Sequence, residues 1–180
     1  MGRDKVTLPL GDGTMIDLVV AACSGHEVLC VGREVPGLAH VADAVPGRMG
    51  PLAGLVAALE VVDGPVVLVA ADQPWLRGET VAAIAARPED LPVVPIDAAA
   101  RQVLCARYPT WVLEQARNLL VEGGGIRRLL DQVPFLGVER SEWSRWGEDG
   151  RSWFSVDTPE DLKRGLEAFG QPGRPSIPDS

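Results

Sequence analysis

The sequence predicts a three-layer α/β/α sandwich around a mostly parallel sheet. Three observations predict it. Short apolar runs alternate with helical segments along most of the chain. The run Val66-Val67-Leu68-Val69-Ala70 is continuously apolar and largely β-branched, which suits a strand covered on both faces. A Gly-rich turn, Gly50-Pro51-Leu52-Ala53-Gly54, opens a helix one step before that strand, and the strand ends on an acid, Asp72. That order offers backbone donors and a carboxylate at the carboxyl ends of parallel strands, where ligands collect in such sheets.

The elements follow in order. Residues 15–23 are apolar or small and predict a helix ended by Ser24-Gly25. Residues 27–31 fit a short buried strand. Residues 32–48 mix Gly, Pro and small residues and predict loop, with one short strand at His40-Val41. Residues 51–62 form a helix with Pro51 in its first turn, where the missing N–H costs nothing. Asp63-Gly64-Pro65 ends it, and residues 66–71 form the strand already described. Residues 79–86 are a short helix stopped before Pro88. Residues 91–96 and 102–108 are strands, the second with imperfect alternation. Residues 110–121 form an amphipathic helix with Thr110 as N-cap. Gly123-Gly124-Gly125 breaks it, residues 126–133 resume it, and residues 135–138 are a strand. Thr158 caps a last helix reaching about residue 169, with Pro159 in its first position and Glu160 and Asp161 at its positive end. From Gly170 to Ser180 three prolines and no periodicity predict a disordered tail.

With 180 residues the chain predicts one domain, residues 1–169, and it is long enough to bury a core. A composition 46% hydrophobic and 23% charged is ordinary for a globular protein. No apolar run approaches the ~20 residues of a membrane span, and no apolar segment follows Met1 as in a signal peptide. A cytoplasmic protein with no membrane partner is expected. The net charge of −8 argues against a nucleic-acid partner, which needs a basic face, but not against a small polyphosphate. Cys23, Cys30 and Cys105 lack metal or redox spacing and read as small buried hydrophobes. His26 and His40 lack ligand spacing for zinc. Three of the five tryptophans lie between Trp143 and Trp153, which fits either an exposed aromatic patch or core.

Several of these residues admit two readings. Asp72-Gln73-Pro74 fits a metal-binding strand end or a turn and nothing more. Asp157 fits a ligand or merely the residue before a capped helix. Gly50 and Gly54 fit close approach of a ligand or a tight turn and helix packing. Lys5, close to a glycine, can reach phosphate oxygens as a point charge or stay solvated.

Four segments in one order narrow the choice. They are Met1-Gly2-Arg3-Asp4-Lys5, the stretch from Pro46 through Gly50-Pro51-Leu52-Ala53-Gly54, Asp72-Gln73-Pro74, and Ser155-Val156-Asp157-Thr158-Pro159-Glu160-Asp161-Leu162. In these the chain resembles the MobA-like nucleotidyltransferases, among them the molybdenum cofactor guanylyltransferases, over residues 1–169. The resemblance implies a Rossmann-like sheet of the nucleotide-diphospho-sugar transferase type. It implies transfer of GMP from GTP to a molybdopterin-type acceptor with release of pyrophosphate. It places Gly2, Arg3, Lys5, Gly50, Pro51, Leu52, Gly54 and Asp72 at the nucleotide, with Lys5 and Asp72 catalytic. It gives Mg²⁺ as cofactor, held by Asp72 and Asp157. It leaves room for contact with other proteins of molybdenum cofactor assembly.

The family's first strand and most of its Gly-rich loop belong immediately before Met1, so the expectation is a native start further upstream, with Met1 an internal methionine. Ser155 stands where the family has Asn, and Gln102-Val103-Leu104-Cys105 departs from its usual acceptor-side segment. Arg101 and Arg107 are candidate contacts to an acceptor phosphate. A cytidylyltransferase, a guanylyltransferase for another phosphorylated precursor, and a non-catalytic binding protein of the same fold are the alternatives.

Overall fold

The computed structural model describes residues 9–11, 13–44 and 50–173. Two short strands, β1 (Pro9–Leu10) and β2 (Gly13–Thr14), pair antiparallel and lead into helix α1 (Met15–Ala22). Thr14 and Asp17 form a reciprocal cap there: the Asp17 amide donates to Thr14 Oγ1, and the Thr14 amide to Asp17 Oδ2 at 2.8 Å. Strands β3 (Leu29–Val31) and β4 (Ala39–Val41) follow and pair in parallel. Helix α2 (Pro51–Val61) opens with Gly50 as N-cap and Pro51 in its first turn.

The main sheet begins with β5 (Val66–Leu68), followed by helix α3 (Gly78–Ala85). The hairpin β6 (Val93–Asp97) and β7 (Ala100–Arg101) comes next, then β8 (Ala106–Tyr108). A 3-10 turn at Thr110–Val112 leads into α4 (Leu113–Val121), α5 (Ile126–Gln132) and strand β9 (Leu136–Val138). Strand β8 lies between β5 and β6 and is antiparallel to both, while β9 pairs in parallel with β6. Thus β5, β6 and β9 share a direction and β8 runs against them. Helix α6 (Arg140–Trp143), two further 3-10 turns and helix α7 (Pro159–Phe169) complete the order.

Alternation along the strands builds the three layers. Successive side chains of a strand point to opposite faces. Val94, Ala106 and Tyr108 therefore pack with Leu55 and Val56 of α2, Leu119 of α4 and Leu129 of α5. Their neighbours Val93 and Cys105 pack with Val19 of α1, Ile84 of α3 and Trp143 of α6. A third cluster of Leu10, Met15, Leu18, Trp75 and Val156 docks α7 through Leu162, Leu166 and Phe169. Among the described residues no strand joins β3 to β5, although α2 packs beneath both. No helix among them is long and apolar enough to cross a membrane.

Some sequence expectations shift. Thr110 does not cap α4. The cap position of the 3-10 turn is Pro109, and buried Val112 with the Trp111 indole, which donates to the Asp90 carbonyl at 2.9 Å, hold that turn in place. Residues 102–108 are not one strand. Cys105 adopts φ 83°, which breaks the extended run, and β7 forms upstream through a turn at Ala98 and Ala99, both with positive φ. Thr158 does cap α7, in a capping box with Asp161. The tryptophans resolve as core: Trp143 is fully buried and meets half-buried Trp153 edge-on at 5.1 Å. Cys23 and Cys105 are buried, Cys30 is half-buried, and all three are free thiols. The carbonyl of Gly170 accepts a 2.9 Å bond from the Trp75 indole, and residues 174–180 lie outside the described part.

Candidate active site

Strand β5 ends in a tight turn that carries Asp72. The Gln73 side chain folds back beneath it, almost wholly buried, and its Oε1 accepts the Ala70 amide at 3.2 Å. The Gln73 carbonyl in turn accepts the Leu76 amide at 3.0 Å. Gln73 thus closes the strand end, and Asp72 is left half-buried at the carboxyl edge of the sheet.

The last motif arrives at the same place from the other end of the chain. The Val156 amide donates to the Asp72 carbonyl at 2.9 Å. Asp157 follows, exposed, and its amide donates to Asp161 Oδ2 at 3.2 Å. Asp161 also accepts the Thr158 amide at 2.9 Å, so the capping box fixes the chain on which Asp157 sits. Several hydrogen bonds to Thr158, together with Arg164, hold the Asp161 carboxyl below its usual range.

Two acids without a third ligand suit one kind of metal. Among the described residues no group of three or more His, Cys, Asp or Glu gathers to form a protein cage. Mg²⁺ is commonly held by one or two carboxylates, with phosphates and water filling its shell. Asp72 and Asp157 fit that donor set.

The turn before α2 bears on the two readings of Gly50 and Gly54. Gly50 is extended, a conformation any residue adopts, and a Cβ there meets none of the described residues within 4 Å. A Cβ on Gly54 meets only Val31 Cγ1, at an ordinary 3.9 Å. Neither backbone strain nor packing among the described residues demands glycine at these positions. The Leu52 side chain is 2% exposed in the core beneath the sheet, so Leu52 can offer a ligand its backbone alone. Pro51 is exposed. Gly2, Arg3 and Lys5 lie outside the described residues.

The two arginines part company. Arg107 is a correction: it is buried in the central strand β8 and donates to the Glu89 carbonyl at 2.7 Å, away from the strands' carboxyl edge. Arg101 is half-buried, pairs with Asp131 at 2.7 Å and stacks over Phe135. Phe135 lines an open cavity of about 660 Å³ with Ile96, Ala99, Gly137 and Glu139, along one face of β9 and beside the β6–β7 turn.

Sequence reasoning missed two acids. Asp43 lies just past β4, as Asp72 lies past β5, and its carboxylate packs against Gly32, where a Cβ would stand 2.5 Å from Asp43 Oδ2. Its signal was an acid two residues past the short run at His40-Val41. Glu148 is 3% exposed, yet it sits in the polar string Glu148-Asp149-Gly150-Arg151, which reads as surface loop.

Comparison with known proteins decides the family. Residues 1–137 match the MobA-like NTP transferase domain. The chain belongs to the MobA-like NTP transferase family. A molybdenum cofactor guanylyltransferase from Mesorhizobium japonicum is 31% identical, over 89% of this chain and 85% of the relative. The crystal structure of molybdopterin-guanine dinucleotide biosynthesis protein A from Archaeoglobus fulgidus superposes with a TM-score of 0.80 at 21% identity, covering 92% of this chain and 90% of that one. A 2-C-methyl-D-erythritol 4-phosphate cytidylyltransferase from Thermus thermophilus superposes with a TM-score of 0.68 at 21% identity, covering 92% and 93%. At these identities the superpositions speak for a shared α/β sandwich. As a MobA-like protein the chain is a nucleotidyltransferase, and three of the four motif segments fall within the matched residues.

Proposed function

We propose that this chain transfers GMP from GTP to a molybdopterin-type acceptor in the cytoplasm, with Mg²⁺ held by Asp72 and Asp157. The observation that carries the reading is the Val156–Asp72 hydrogen bond, which draws the two acid-bearing segments together at the end of β5. The likeness to a curated molybdenum cofactor guanylyltransferase favours GTP and this acceptor class.

The chemistry is a displacement at the α-phosphorus. An acceptor phosphate oxygen forms a new P–O bond, the bond to the bridging α–β oxygen breaks, and pyrophosphate leaves with the electron pair. Bound Mg²⁺ supplies charge neutralisation on the phosphate oxygens. Asp72 holds that charge from a turn closed by Gln73, and Asp157 from a chain fixed by the Thr158 box. Gly50 and Gly54 let base and ribose lie against the start of α2, where side chains would intrude. Lys5, with Gly2 and Arg3, meets the triphosphate. The cavity along β9 and the β6–β7 turn, with Arg101 at its border, receives the acceptor.

Calorimetric titration with GTP and with CTP, each with Mg²⁺, tests the reading. Binding of GTP in preference to CTP is the expected result. A preference for CTP assigns the cytidylyl alternative, and no binding of either makes the chain a non-catalytic relative.

A further inference from the structure

The carboxylate of Glu148 is buried and accepts five hydrogen bonds. Its Oε2 takes the Thr80 hydroxyl at 2.6 Å and the Ser152 hydroxyl. Its Oε1 takes the amides of Asp149 at 3.0 Å, Gly150 at 2.7 Å and Ser152 at 3.3 Å. The loop from Gly147 to Trp153 therefore wraps a single anionic centre, and every donor to it is neutral.

That centre joins two segments of the candidate site. Thr80 belongs to α3, the helix that follows Asp72 through Gln73-Pro74-Trp75-Leu76-Arg77. The Arg77 amide donates to Ser152 Oγ at 3.0 Å, and its guanidinium to the Gly147 carbonyl at 2.7 Å. On the other side the Trp153 indole donates to Asp97 Oδ2 at 3.0 Å, at the end of β6. Three residues beyond Trp153 comes Val156, whose amide meets the Asp72 carbonyl. The segment after Asp72 and the segment before Asp157 are thus bound to each other through Glu148.

We propose that Glu148 is a positioning residue: its buried carboxylate holds the chain carrying Asp157 against the chain carrying Asp72. The proposal rests on the reading that these two acids bind the metal. A buried carboxylate is an unusual choice for a structural tie, because desolvating it is costly unless every lone pair is met. A glutamine that kept its carbonyl toward the three amides would turn its NH₂ to the Thr80 and Ser152 hydroxyls, which would have to reverse and accept, and every bond would lose the charge that strengthens it. Groups around a metal site that orient its ligands commonly govern affinity as strongly as some ligands do.

Two measurements on full-length Glu148→Gln test it, one without metal. Amide exchange followed by NMR should show the Val156 amide exchanging at least about tenfold faster than in the parent, with α2 amides such as Leu55 unchanged. Mn²⁺ binding in the presence of GTP, read by the EPR signal of free Mn²⁺, should weaken by about tenfold. Unchanged Val156 exchange in a folded variant overturns the proposal whatever the metal does. Faster Val156 exchange with parental Mn²⁺ affinity also overturns it, provided Asp72→Asn loses Mn²⁺. If Asp72→Asn keeps parental Mn²⁺ affinity, the metal reading itself fails, and Val156 exchange still judges the tie. Should Glu148→Gln not fold, Thr80→Val removes the hydroxyl linking Glu148 to α3 and should show both effects more weakly, while Thr80→Ser restores parental behaviour. A Thr80→Val protein with parental Val156 exchange and Mn²⁺ affinity contradicts the proposal.

Discussion

The Val156 amide donates to the Asp72 carbonyl at 2.9 Å, across 84 positions of sequence. The bond is made by backbone alone, so the side chain of Asp72 is not needed for it. Asp72→Asn should therefore keep the fold and lose the chemistry. We expect nucleotidyl transfer to fall by at least about a hundredfold, the effect of losing a few kcal/mol of charge stabilisation. Steady-state pyrophosphate release, with circular dichroism as the fold control, measures it. Full activity in Mg²⁺ would remove Asp72 from the metal site.

Gly54 offers a test in which stability and function move in opposite directions. A Cβ there fits at an ordinary 3.9 Å from Val31, and alanine is the better helix former by about 0.5–1 kcal/mol. Gly54→Ala should raise the urea midpoint. If the nucleotide lies against this turn, GTP affinity should fall by about tenfold or more, roughly 1.4 kcal/mol. A variant that is more stable and still binds GTP like the parent takes the nucleotide away from α2.

The same substitution at Gly165 should do the reverse. Its Cβ would stand 2.2 Å from the Trp75 ring. Trp75 has little room to yield, since Phe154 and Phe169 flank it at 5.7 and 5.8 Å and its indole is bonded to the Gly170 carbonyl. Overpacking of this kind costs about 1–3 kcal/mol, more than the helix gains from alanine. Urea denaturation of Gly165→Ala should show a net loss, and an unchanged midpoint would mean that α7 docks differently.

The thiols predict a pH response. Burial pushes Cys23 up to about 11, with Cys30 beside it adding to the shift; burial raises Cys105 and Cys30 as well. The reactive form is the thiolate, so at about pH 8 Ellman's reagent should label Cys30 at most in the native protein, and all three cysteines after unfolding. Because the folded values lie above the unfolded one, these groups favour the folded state fully below about pH 8.5, and that contribution drains away as pH climbs toward the folded values. Rapid native labelling of Cys23 or Cys105 would contradict the packing around α1.

Much of the fold was legible because local chemistry and tertiary packing agree. The apolar run at Val66 needed cover on both faces and has it, and the Thr158–Asp161 box stands in the sequence as Thr-x-x-Asp. The places of the two acids were legible for the same reason: Asp72 follows the half-buried strand β5 and Asp157 precedes a capped helix. What escaped lacked a local signature. The β6–β7 turn places two alanines at positive φ, where glycine or asparagine is the usual sign. Cys105 at φ 83° breaks what looked like a longer strand. Burial of Arg107 follows from its place on β8, which no neighbouring residue announces. Glu148 is surrounded by polar residues in sequence and buried only because the loop closes around it.

Pyrophosphate release on mixing the protein with Mg²⁺, a molybdopterin-type acceptor and either GTP or CTP tests the account most directly. The account predicts acceptor-dependent release with GTP, little with CTP, and its loss in Asp72→Asn and in Asp157→Asn. Release that favours CTP, or that survives in both variants, would contradict it.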